Sequence, residues 1–158
     1  MVFEKGRKTH FNFTFDNMVL ETVDSFKYLG IYLFKNGCWN RTQQHISKHS
    51  LYSLHNLFIV FKQLNLSTLE SCKLFDSLLS PILNYGAEIF GYHPAKEIET
   101  VHCKFLRKIL GDRKSTNLVA LYGELGRHPM IIERKIRMIK YWIKLLRSRD
   151  NSLLKSSI

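Results

Sequence analysis

His45 and His49 stand four residues apart and would share one face of a helix, where each imidazole could reach a divalent metal. Two ligands do not close a site. The residue after His45 is Ile46, where a metalloprotease helix would carry its glutamate, so a polar helix face is the simpler reading. Gly111-Asp112-Arg113-Lys114-Ser115-Thr116 has the residue types of a phosphate-cradling loop, but it lacks the required spacing and no strand precedes it. Two-metal nucleotidyl transfer needs clustered carboxylates; the 13 acidic residues are scattered and no Asp-Asp pair occurs. Cys38, Cys72 and Cys103 form no CxxC pair, which argues against a zinc ribbon or a dithiol redox motif and fits a reduced, intracellular chain of the nucleus or cytoplasm. We therefore expect no catalytic residues, no metal site and no cofactor within this chain.

The chemistry that remains is cationic. Lys and Arg number 24, for a formal charge of +11, and residues 96–150 alone hold 14 basic against 6 acidic side chains. A field concentrated in this way suits a polyanion, although solvated surface charge is the competing reading. Arg137, Lys140, Lys144 and Arg147 recur at helical spacing, and like charges on successive turns repel until an anion arrives. With Arg41, Lys48, Lys104, Arg107 and Lys108 they are the expected nucleic-acid-binding residues.

The elements that must position these residues change character along the chain. Phe11, Phe13 and Phe15 alternate with polar residues, Asp16-Asn17 signals a turn, and Met18 to Val23 can return as a second strand. Ser25 to Phe34 reads as a third strand, in which Gly30 suggests a bulge or a close backbone approach. From residue 40 the period becomes helical. Leu51, Leu54, Phe58 and Phe61 predict an amphipathic helix over 40–63, capped by Asn40 or Thr42. Ser67 with Glu70 is a capping box that opens a helix over 67–91. That helix is apolar on most faces through Leu69, Cys72, Phe75, Leu78, Leu79, Ile82 and Leu83, so it is expected to be central and buried, with a kink at Pro81. Helices follow over 96–110, with Ile98, Val101, Phe105 and Ile109 on one face, over 116–123, and over 128–149 with Pro129 in its first turn. In the last helix Ile132, Ile136, Ile139, Ile143 and Leu146 form a heptad-like seam, taken as the side that docks on the core. The fold class is α+β, mostly α. Residues 1–38 hold short antiparallel strands, 39–111 a helical bundle, and 112–158 a segment with the basic helix.

Several blocks, in order, resemble the reverse transcriptases of non-LTR (LINE-type) retrotransposons. Phe26-Lys27-Tyr28-Leu29-Gly30-Ile31 is similar to the strand that ends the palm of that family. Leu83 to Gly91 resembles its Tyr-Gly-x-Glu-x-aromatic-Gly block, and Lys104 to Gly111 its basic helix before a Lys-Ser-Thr turn. Leu121 to Pro129 resembles its Tyr-Gly-Glu-Leu-Gly-Arg-x-Pro block, and Lys140-Tyr141-Trp142 a later Lys-x-Trp. The resemblance implies that Phe26, Lys27, Tyr28, Leu29 and Gly30 belong to a primer grip and that the helices from 40 to 110 form a thumb along the template–primer duplex. It also implies that the catalytic Tyr-x-Asp-Asp turn, and the Mg²⁺ it holds, lie upstream of Met1 in a missing palm. The expectation is then a fragment of an RNA-directed DNA polymerase, inactive alone, that binds an RNA–DNA or DNA duplex and can associate with an upstream polymerase part. The alternative is a helical protein-interaction or membrane-surface module with no nucleic-acid role. No stretch of roughly 18 apolar residues is present, so no membrane span is expected.

Overall fold

The computed structural model describes residues 12–16, 18–112 and 116–147. Phe11, the middle of the 111–116 run and the end of the expected last helix lie outside them. The chain is mostly helical with two small antiparallel strand pairs, and it divides into compact units at Met1–Thr42 and Gln43–Ile158. The expected boundary at 111 does not separate units, because the helices after it pack on those before it.

In the first unit, β1 (Thr14–Phe15) pairs with β2 (Met18–Val19), and β3 (Ser25–Tyr28) with β4 (Ile31–Phe34). The single strand expected over 25–34 is thus a hairpin. Its two-residue turn, Leu29-Gly30, has φ of 47° and 80°, the positive signs of a type I′ turn, whose twist matches that of paired strands. Gly30 serves this turn, not a bulge. Leu29 takes the left-handed region at a cost glycine would not incur. Thr42 does not cap the following helix. Its hydroxyl donates to the Tyr32 carbonyl at 2.9 Å and accepts from the Tyr32 amide at 3.0 Å, binding β4 to the chain ten residues on.

In the second unit, α1 (Asn40–Leu64) buries Ile46, Leu54, Leu57 and Phe61, and Phe61 meets Phe105 edge-on with centroids 6.4 Å apart. The expected 67–91 helix is broken three times. α2 (Thr68–Leu74) opens with the Ser67–Glu70 capping box. A π-turn over Phe75–Leu79 follows, closed by the Ser80 amide donating to the Phe75 carbonyl, and then α3 (Ser80–Leu83). The widened turn lies just ahead of Pro81, whose ring would clash with the preceding turn of a regular helix, so the helix is interrupted by a π-turn where Pro81 was expected to disturb it. Gly86, at φ 72°, then reverses the chain into α4 (Ala87–Phe90). Phe75, Leu79 and Leu83 are buried, but Leu69 and Leu78 are exposed, so this segment is central on one face only.

α5 (Lys96–Leu110) buries Ile98, Val101 and Phe105 and leaves Ile109 half-buried. Its end is closed by Gly111 at φ 68°, with the Asp112 amide donating to the Arg107 carbonyl. α6 (Leu118–Glu124) is capped by the Asn117 side chain, and Gly126, not Gly123, makes the positive-φ turn beyond it.

α7 (Met130–Arg147) contradicts one expectation outright. Ile132, Ile136, Ile139, Ile143 and Leu146 are between 41% and 53% exposed, while Met130 and Arg134 are buried. The helix docks on α4 by the side roughly opposite its isoleucines. The cause lies at the break after α3. The Leu83 carbonyl loses its helical partner there, since the Ala87 amide turns to Asn84 instead. The Arg134 guanidinium supplies the missing donor at 2.7 Å, at a negative helix end, and lies 5.4 Å from the Phe90 ring centroid. Burial pushes Arg134 down to about 10, with Glu88 opposing the shift.

Candidate nucleic-acid interface

The structure sorts the expected cationic residues into groups. Lys104, Arg107 and Lys108 line one cleft along the second half of α5, beside Thr100, Gly111 and Asp112. Lys108 also lines a second cleft, with His55, Phe58 and Lys62 of α1 and Ile109 of α5. Lys108 is common to both clefts, so Lys62, Lys104, Arg107 and Lys108 line neighbouring clefts, one of which holds an aromatic ring. Lys48 is exposed one heptad before His55 and two before Lys62, on the same side of α1. Lys62 and His55 are additions to the expected set; their heptad spacing from Lys48 is the signal in the sequence that points to them.

On α7, Lys140, Lys144 and Arg147 gather round Ile143 in a shallow depression. Arg137 does not join them as a free cation. Its Nε and Nη2 both donate to one oxygen of Glu133, at 3.1 and 2.8 Å. No carboxylate among the described residues lies within ion-pair distance of Lys62, Lys104, Arg107, Lys108, Lys140, Lys144 or Arg147. Asp112 is the one carboxylate lining the α5 cleft, against three cations, and that excess of positive charge suits recognition of a phosphate backbone.

Arg41 belongs to the first unit, where its guanidinium lies 5.3 Å from the Phe34 ring centroid. The residues likened to a primer grip form the β3–β4 hairpin. Phe26, Tyr28 and Leu29 are exposed, and the Lys27 ammonium sits 5.3 Å from the Tyr32 ring centroid across the pair Lys27↔Tyr32. Ring and cation are presented outward on a two-stranded ribbon.

No model of a protein family, no curated protein and no solved structure matches the chain.

One polar cluster was invisible in the sequence. Glu99 on α5 accepts from the Tyr122 hydroxyl in a very short bond, from the Met130 amide at 2.8 Å, and pairs with His102 Nδ1 at 3.3 Å. Burial pushes its carboxyl up, but the hydrogen bonds from His102 and Tyr122, the His102 charge and the Met130 amide outweigh this and hold it below its ordinary value. Burial and the Glu99 bond drive the Tyr122 phenol far above its usual range, and burial raises the Cys103 thiol. A buried thiol held protonated is a poor nucleophile. The cluster's work is structural: Glu99 satisfies an orphan amide at the N-terminus of α7, where a negative charge is favoured, and ties α5 to α6 through Tyr122. Among the described residues no three His, Cys, Asp or Glu side chains are placed so that they could hold a metal ion, and His45 and His49 are both exposed on α1.

Proposed function

We propose that the chain grips the phosphate backbone of a template–primer duplex, as the thumb and primer-grip part of a non-LTR retrotransposon reverse transcriptase would, and that nucleotide addition depends on the carboxylates of that enzyme's catalytic turn. The observation that carries this reading is the grouping of Lys62, Lys104, Arg107 and Lys108 along two neighbouring clefts, both lined by Lys108. Two features support it. The free charges sit on helix faces, which hold cations at fixed intervals along a polyanion. An aromatic ring, Phe58, lies in the same cleft and can meet a sugar or an unpaired base. The β3–β4 hairpin, with Phe26, Lys27 and Tyr28 turned outward, is the element assigned to the primer end.

The test is fluorescence anisotropy of the full chain with a labelled RNA–DNA hybrid over a salt series. Affinity should fall by about 0.9 log units per log unit of salt for each phosphate neutralised. Replacing Lys62, Lys104 and Lys108 with Gln should flatten that slope by about 2.7, with unchanged helix content by circular dichroism. A salt-independent affinity, or an unchanged slope in the triple variant, refutes the reading. The same protein with Mg²⁺ should add no nucleotide to a primer.

A further inference from the structure

The seam of α7 lies roughly opposite Met130 and Arg134 and is about half exposed, with Ile139 and Ile143 sharing a cleft with Glu88 and Ile89 of α4. Ile132, Ile136, Ile139, Ile143 and Leu146 are spaced 4, 3, 4 and 3 residues apart, the repeat of a coiled-coil seam. At about 100° per residue they occupy an arc of only about 80°, over a length of about 21 Å. Trp142, also exposed, widens this face to about 120°, and the 4-3 spacing of the isoleucines within it is the ridge that one other helix would take.

The flanks say which kind of helix. The helix positions bordering the seam are Glu133, Lys135, Lys140, Trp142 and Arg147, and Glu88 of α4 lines the cleft of Ile139 and Ile143, so cations outnumber anions three to two. A second copy packed in parallel would set Lys135 against Lys140, and an antiparallel copy centred on Ile139 would set Lys140 against Lys140. Flanking charges choose the partner in such pairs, and like charges in register reject it. The geometry points to an acidic amphipathic helix of another protein as the occupant, its apolar stripe on the isoleucines and its carboxylates on Lys135, Lys140 and Arg147. Because Lys140 and Arg147 also border the basic depression, such a helix would take part of that edge from any nucleic acid. The inference does not rest on the nucleic-acid reading, since the seam is apolar and offers a phosphate backbone nothing.

The probe is a labelled synthetic three-heptad peptide with Leu at the seam positions and Glu at the flanking ones, titrated into the full chain. Saturable one-to-one binding is expected. It should weaken at least tenfold with Ile139→Lys, an exposed change that leaves every basic residue in place and should leave the circular dichroism spectrum unaltered. It should weaken as much when the peptide's Glu residues become Lys. Equal binding of the Lys peptide overturns the proposal, as does equal binding to the Ile139→Lys variant. So does a seam-dependent dimer in sedimentation, or seam-dependent flotation with phosphatidylserine vesicles, in the absence of peptide binding.

Discussion

Gly91 sits where α4 and α7 come closest, and replacing it with alanine should loosen the contact that orients α7. A Cβ built there would stand 2.5 Å from the Arg134 carbonyl oxygen and closer still to that of Ala87. Both neighbours are backbone, so neither can swing aside. Restoring ordinary contact means both turning the backbone at residue 91 away from the Ala87 carbonyl of its own turn and parting α4 from α7 by about 1 Å. That shift would move Arg134 away from the Leu83 carbonyl and the Phe90 ring. Overpacking of this kind costs about 1–3 kcal/mol. Gly91 has φ −62° and ψ −17°, inside alanine's usual range, but the contact with the Ala87 carbonyl keeps alanine from adopting them there without strain. The net loss should be about 1–3 kcal/mol. Gly123 is the internal control: it lies within α6, a methyl group added to it meets nothing within 4 Å, and Gly123→Ala should stabilise by about 0.5–1 kcal/mol. The same chemical change at two glycines is thus expected to act with opposite signs. Urea melts followed by far-UV circular dichroism read both. If Gly91→Ala proves as stable as Gly123→Ala, the close approach of α4 to α7 is not what fixes the last helix.

Glu99→Gln should lose about 1–3 kcal/mol at neutral pH, because an amide can no longer accept from every donor that Glu99 serves. Glu99 is held below its ordinary value of 4.5, so its contribution is present above that pH and is lost as pH falls through the lower folded value. Urea midpoints taken down to about pH 3 should therefore drop more steeply for the parent than for the variant, and parallel curves would exclude Glu99 as the source. Arg127 lies over the rings of Phe75 and Phe105, at 5.4 and 5.6 Å from their centroids, and pairs with Asp76 at 2.7 Å. Arg127→Ala should cost about 1–2 kcal/mol, most of it surviving in high salt because the stacking is shielded from solvent, and a loss abolished by salt would assign it to the exposed ion pair instead. Changing Lys140, Lys144 and Arg147 to Gln should weaken duplex binding without altering helix content, and unaltered affinity in the anisotropy assay would remove α7 from the interface.

The helices of this protein are written in its local sequence because their signals are local. The Ser67–Glu70 box, Gly111 at the end of α5 and the repeat of Ile98, Val101 and Phe105 act within a turn or two, and the structure places those elements where the spacing does. The concentration of cations on α5 and α7 was equally legible, since helical spacing fixes which side chains share a face. Only the tertiary structure decided which face α7 uses. The isoleucine seam of α7 was the better apolar stripe, yet the helix turned it outward and buried Met130 and Arg134, because a broken helix at Asn84–Gly86 left a carbonyl in need of a donor and Gly91 let a backbone come close. Glu99 serving an amide on α7, and Lys62 joining Lys108 in one cleft, rest on pairings between residues far apart in the chain. Such pairings have no period to read: they exist only once the chain has chosen how its helices cross.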